Sequence, residues 1–239
     1  MAQISIKDNI EKIREKIISA EIKAGRKEGS VALMAVSKFH PAEAVLEALK
    51  ANQFLFGENR VQEACGKFPE ILKQWENAEL HLIGSLQRNK VKQILPIASC
   101  IQSVDRIELL EEIIKQKAKL ENNKIIKLLF EVHTGEESKS GFTDVGELEK
   151  ALELAGENKT LGIECSGFMT MAPFTDDKKQ IQDSFRKLAS LSEKLKNQYK
   201  DLPLKELSMG MSSDFEIAIE EGSTLVRVGT AIFGERVYV

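Results

Sequence analysis

Apolar residues along the chain fall into eight short runs separated by longer amphipathic stretches. The runs are Val31–Ser37, Gln53–Phe56, Leu80–Gly84, Ser99–Val104, Ile125–Val132, Gly162–Met169, Glu206–Met209 and Thr224–Val228. Several are almost continuously apolar, as Leu128, Leu129, Phe130 and Val132 are. Strands covered on both faces in a parallel sheet read this way, whereas half-exposed strands alternate. The intervening stretches carry helix signals. Pro41 stands at a plausible first helical position before Ala42–Lys50, and Asp105, Asp144 and Thr175 are candidate N-caps. Downstream of Thr175, Ile181, Phe185, Leu188 and Leu195 form a stripe at helical spacing that is read as core.

Eight strands joined by seven helices predict an α/β fold, a single-domain TIM-type (β/α)8 barrel over residues 1–239. After the eighth strand only Thr230 to Val239 remain, too few for a full closing helix. The opening segment Asp8–Gly25 is strongly helical and carries Ile10, Ile13, Ile17 and Ile18. It is expected to cover the flank that an eighth helix fills in a complete barrel.

Composition narrows the function. The 239 residues are 42% hydrophobic and 30% charged, which excludes disorder as a description of the chain. A formal charge of -3 lacks the basic excess of a nucleic-acid binder. The longest uncharged run, Gln93 to Val104, is far shorter than the roughly 20 residues of a membrane span. Cys65, Cys100 and Cys165 are odd in number and widely spaced, so neither disulfides nor a zinc site is expected, and a reducing cytoplasm fits best.

In such barrels chemistry gathers at the C-terminal strand ends. Lys38 follows the small and apolar residues Ala32 to Ser37. It reads either as a partly desolvated amine able to form a Schiff base with a carbonyl, or as a strand-end lysine reaching to solvent. Ser208 to Ser213 form a small, glycine-containing polar loop before a short helix from about Asp214 to Glu221, which Gly222 can end. With Gly229 and Thr230 after the eighth strand, that loop suits a phosphate in the usual place for this barrel. A strand-end lysine combined with that cradle points to pyridoxal 5′-phosphate (PLP). Arg227, inside the apolar stretch Leu225–Ile232, is expected to point into the barrel mouth. There it either faces the pyridine nitrogen, keeping it unprotonated, or pairs with Glu58 or another carboxylate.

The runs Ala35-Val36-Ser37-Lys38, Phe56-Gly57-Glu58-Asn59-Arg60-Val61-Gln62-Glu63 and His81 to Lys90 resemble the pyridoxal phosphate homeostasis protein family. So do Glu137 to Phe142, Leu207 to Ser212 and Arg227 to Gly234. The family is similar to the N-terminal barrel of alanine racemase, a fold-type III barrel, without that enzyme's C-terminal β domain. The resemblance implies that Lys38 holds PLP as a Schiff base and that Ser212, Gly229 and Thr230 bind its phosphate. It also implies that Arg227 faces the ring nitrogen and that Asn59 lines the ring pocket. His133 stands where the family often has Asn, and Phe168 where Leu is usual.

A two-base racemase needs a second proton carrier opposite the lysine. The chain offers Tyr199, near a helix end, and Tyr238, close to the terminus, neither well placed. His133 is an open candidate, His81 is read mainly as core or capping, and His40 as a turn residue. The favoured function is therefore PLP binding in vitamin B6 homeostasis without efficient catalysis, with PLP and PLP-accepting apo-enzymes as partners. No catalytic residue, metal, nucleic acid or membrane is assigned, and a monomer is expected. The alternatives are a PLP-dependent amino-acid racemase and, more remotely, a barrel using Lys38 on a sugar-phosphate carbonyl. Glu136–Ser140 suits a rim that gates the pocket, with Lys139 as a secondary aldehyde acceptor.

Overall fold

A computed structural model describes residues 5–120, 124–135 and 140–234. Eight parallel strands close into a barrel in sequence order: β1 Ala32–Val36, β2 Leu55–Glu58, β3 Glu79–Leu82, β4 Cys100–Val104, β5 Ile126–Glu131, β6 Ile163–Met169, β7 Glu206–Ser208 and β8 Leu225–Val228. Every strand overlaps its predicted run. The largest shift is at β2, which starts two residues late because Gln53 and Phe54 complete the preceding turn, with Gln53 N bonded to Ala48 O. Closure is direct, with Ala32, Leu33, Met34 and Ala35 of β1 in register with Leu225, Val226, Arg227 and Val228 of β8.

Between the strands run α2 Ala42–Lys50, α3 Val61–Gln74, the short α4 Val91–Ile94, α5 Ile107–Lys117, α6 Val145–Glu157, α7 Lys178–Gln198 and α8 Phe215–Glu220. Their apolar stripes and the outward faces of the strands form one large core that includes Phe56, Phe68, Phe130, Phe168 and Phe185. The predicted stripe of α7 is buried throughout. Alternate strand residues point the other way, and Cys100, Leu129 and Met169 form a separate small cluster.

Two N-cap expectations need correction. Asp105 does not cap α5, because its carboxylate is taken by the Arg106 guanidinium and Arg106 itself occupies the cap position. Thr175 does not cap α7. Its hydroxyl accepts from Asp177 N at 3.1 Å, and Asp177 caps the helix by accepting from Lys179 N at 2.9 Å. Asp144 does cap α6, accepting from Glu147 N at 2.8 Å. Pro41 sits one residue earlier than read, at the N-cap of α2.

The opening helix, α1 Ile6–Lys23, packs against α2, α8 and the four-residue helix α9 Thr230–Phe233 that follows β8. It occupies the predicted flank. Asn9 Nδ2 donates to Ile232 O at 2.9 Å, and Lys23 pairs with Glu220. The buried Glu21 accepts from Gly29 N, Ser30 Oγ and Val31 N, tying the helix end to the start of β1. Ile10, Ile13 and Ile17 are buried, whereas Ile18 lies on the outer side of the helix and is 38% exposed. Because Ile10 is fully covered, Ile10→Ala is expected to cost about 2–5 kcal/mol, read as a shift in denaturant midpoint. A cost below about 1 kcal/mol would show that α1 contributes little to the barrel.

Candidate functional site

The C-terminal mouth of the barrel holds a cavity of about 540 Å³. Lys38, Asn59, Ser212, Arg227, Gly229 and Thr230, the six residues singled out from the sequence, all line it. Each stands just past or at the end of a strand: Lys38 two residues beyond β1, Asn59 after β2, Ser212 in the loop after β7, and the others at the end of β8.

Lys38 is half-buried between two constrained neighbours. Ser37 is buried and continues the strand, with its N–H bonded to Gly57 O, while Phe39 takes a left-handed conformation at φ 65°. His40 N returns to Ser37 O at 3.1 Å, closing the turn expected of it, and its ring stacks on Phe233 at 5.1 Å. Asn59 is placed by the close approach of two loops. A Cβ at Gly84 would lie 2.2 Å from Asn59 O, so only glycine fits there.

The loops after β7 and β8 meet where Gly229 N donates to Ser212 Oγ at 3.4 Å. Gly210, at φ +94°, turns the first loop so tightly that a Cβ would come 2.6 Å from Ala218 Cβ. Asp214, buried at the start of α8, braces the loop by accepting from Met211 N at 2.5 Å. The N–H groups of Ser212, Ser213, Thr230 and Ala231 make no hydrogen bond among the described residues, and three of these four residues line the cavity. An exposed concave set of unspent N–H groups and hydroxyls is an anion cradle.

Arg227 reaches the cavity from inside the barrel with 4% exposure. The alternative pairing with Glu58 does not form: Glu58 is held instead by Lys67 at 2.7 Å. Arg227 instead donates to Ser208 O and Oγ at 2.7 Å and to Thr170 O at 2.8 Å. Three of its five N–H groups are thereby used and two remain. Burial pulls its pKa down to about 10, opposed by the more distant Asp214 and Glu131. The anchor continues across the barrel: Ser208 Oγ donates to Gln102 Oε1 at 2.7 Å, and Gln102 Nε2 meets His81 Nδ1 at 2.9 Å. His81 is thus a core histidine, as read. His133 is not in this cavity. An isolated bridge between Val132 and Phe142, with His133 N bonded to Phe142 O, draws the chain past β5 outward to a separate hollow beside Asp144 and Lys187.

Residues 5–237 match the family described as alanine racemase, N-terminal domain. A pyridoxal phosphate homeostasis protein of Aquifex aeolicus is 39% identical over 231 residues, spanning 97% of this chain and 98% of that one. The chain belongs to the pyridoxal phosphate homeostasis protein family. Its relative of that name from Bos taurus is 38% identical over 213 residues, 86% of this chain and 77% of that one. Among solved structures, PipY of Synechococcus elongatus with PLP bound superposes with a TM-score of 0.82 at 34% identity, covering 96% of this chain and all of that one. The alanine racemase of Streptomyces coelicolor, 17% identical, shares the barrel alone: TM-score 0.65, covering 92% of this chain and 57% of the enzyme.

One ionisable cavity residue escaped sequence reading. Glu131, at the end of β5, is 3% exposed and accepts from Ser140 Oγ at 2.6 Å. Burial pushes its pKa upward, with Asp105 adding to the rise and Ser140 and Arg227 opposing it. A carboxyl whose folded value is raised stabilises the fold fully below the ordinary value of 4.5, and that stability is lost as pH climbs through the raised value. The ligand-free Glu131→Gln variant is therefore expected to lose less thermal stability than wild type between mildly acid and neutral pH. Parallel curves for the two proteins would show that Glu131 is not penalised in the fold. Other readings fall outside the described residues: gating by Glu136–Ser140 (only Ser140 is described), Lys139 as a second acceptor, and Tyr238.

Proposed function

We propose that this chain holds PLP in the barrel mouth and serves intracellular vitamin B6 homeostasis by binding, not by turnover. The observation that carries this reading is the convergence of an amine, a phosphate-sized cradle and a buried guanidinium on one cavity. The donor set fits the cofactor. When bound, PLP supplies an aldehyde that an amine can hold covalently and a ring able to withdraw electrons. Lys38 is the amine. The N–H groups of Ser212 and Thr230, with both hydroxyls and the Gly229 backbone, bind the phosphate, and Asn59 lines the ring. Arg227, with two N–H groups unspent, would hold the ring nitrogen, where a permanent donor would keep that nitrogen unprotonated and weaken electron withdrawal.

The inventory of proton carriers favours a holder over a racemase. Tyr199 ends α7 and donates to Glu153 Oε1 at 3.0 Å, away from the cavity, with its pKa pushed up to about 12 chiefly by burial. No tyrosine occurs among the described lining residues. The reading extends to one barrel acting as the working unit over 1–239, monomeric and cytoplasmic, passing PLP to apo-enzymes. Among the described residues no helix is long and apolar enough to cross a membrane.

The test is the visible absorbance of purified protein after PLP addition, followed by incubation with a panel of L-amino acids and chiral chromatography. A band bleached by borohydride and amino acids that keep their configuration are expected. Clear racemisation that disappears in Lys38→Ala would replace this reading with the enzyme one, and no band at all would remove PLP from the site.

A further inference from the structure

Beneath Lys38 lies a buried charge cluster outside the cavity itself. Lys67, on α3 with a side chain 7% exposed, places Nζ 2.7 Å from Glu58 Oε1, 3.0 Å from Glu63 Oε1 and 2.9 Å from Ser37 O. Those three contacts use all three N–H groups of the ammonium. Glu58 Oε1 also accepts from Ser37 Oγ at 2.7 Å, and Glu63 Oε1 from Phe39 N at 2.6 Å. The residue before Lys38 is thus gripped at its carbonyl and hydroxyl, and the residue after it at its N–H, by groups that share one cation.

This grip falls where the backbone is least relaxed. Phe39 is one of only two non-glycine residues at positive φ among the described residues, and its ring carries the Arg60 guanidinium at 5.3 Å. A left-handed phenylalanine persists only where its surroundings over-determine it. Glu58 is fully buried and its Oε2 has no partner among the described residues, so Lys67 is the cation that keeps this carboxylate and its bond to Ser37 in place.

We propose that Lys67 is a positioning residue for Lys38, clamping Ser37 and Phe39 through Glu58 and Glu63 so that the Lys38 amine is aimed at a bound aldehyde. The inference rests on the reading of Lys38 as the PLP-holding amine. In the step it serves, Lys38 Nζ forms a bond to the aldehyde carbon, and water leaves with the aldehyde oxygen and the two amine protons. Misdirection of an attacking group by about 1 Å costs rate out of proportion to any loss of affinity.

The test separates aiming from binding by using two ligands. PLP reports covalent capture through its absorbance band and borohydride adduct. Pyridoxine 5′-phosphate has an alcohol in place of the aldehyde and reports only the non-covalent site. In Lys67→Met, capture of PLP is expected to slow by about tenfold or more while affinity for pyridoxine 5′-phosphate stays within about twofold of wild type. Lys67→Arg, which restores a cation between the two carboxylates, is expected to recover most of the rate. Capture at the wild-type rate in folded Lys67→Met overturns the proposal, and so does an equal loss for both ligands. Should Lys67→Met not fold, Glu63→Ala removes the acceptor of Phe39 N and leaves the Glu58–Lys67 pair intact, and unchanged capture there overturns the proposal in the same way. A wild type that binds pyridoxine 5′-phosphate but never forms the band instead defeats the reading of Lys38 itself.

Discussion

Lys38→Ala is expected to abolish the visible band and the borohydride-stable adduct, and to weaken PLP retention by about a hundredfold or more. Two separable contributions hold the cofactor under the proposed function. Covalent attachment at the amine sets residence time, and the cradle after β7 and β8 sets the non-covalent affinity. Alanine at position 38 removes the first and leaves the second, because Ser212 follows β7 and Gly229 and Thr230 follow β8, whereas Lys38 follows β1. Residual, colourless and reversible binding should therefore persist at micromolar or weaker strength, about 2.7 kcal/mol or more below wild type. The fold should not suffer, since Lys38 is half-buried at a turn and not part of the core. Peptide mapping after reduction of the variant also settles whether Lys139 accepts the aldehyde. An adduct at full yield in Lys38→Ala would mean that the cavity amine is not the holder.

The sequence made the barrel legible because parallel strands covered on both faces leave unbroken apolar runs. Leu128 to Phe130 in β5 could not belong to a half-exposed strand, and all three are fully buried. The site was legible for a related reason. Barrel topology brings every strand end to one mouth, so Lys38, Asn59, Ser212 and Arg227 had to meet if the strands were placed correctly. What stayed hidden depends on contacts between elements. Glu63 and Lys67 show at helical spacing as an ordinary i,i+4 pair. Nothing in that spacing says that Lys67 is buried, or that Glu58 from the preceding strand shares its ammonium. Asp105 and Thr175 failed as caps because neighbouring groups outcompete helix N–H groups for their oxygens. Glu131 and His133, two residues apart, follow strand alternation toward the same side, yet the bridge from Val132 to Phe142 breaks that alternation and leaves only Glu131 in the cavity.

The phosphate cradle is expected to discriminate strongly between PLP and pyridoxal, which carries the same aldehyde without the phosphate. Hydrogen bonds to a charged group contribute about 1.5–3 kcal/mol each, so two that survive competition with water imply a preference of a hundredfold or more. Ser212 and Thr230 are exposed at the rim, and water competes for their hydroxyls, which keeps the expectation at the lower end for any single side chain. Ser212→Ala also removes the acceptor of Gly229 N, loosening the junction between the two loops. It is therefore expected to cost PLP about tenfold and pyridoxal almost nothing, and Thr230→Ala somewhat less. Half-saturation measured by absorbance for both ligands against both variants gives the comparison directly. The ratio between ligands is the decisive quantity, because general damage to the cavity lowers both affinities together and leaves it unchanged. Equal half-saturation for PLP and pyridoxal in the wild type would mean that the loops after β7 and β8 do not hold the phosphate. The unspent N–H groups of Ser212, Ser213, Thr230 and Ala231 would then be ordinary solvated turn amides, and the aldehyde chemistry of Lys38 would stand without its anchor.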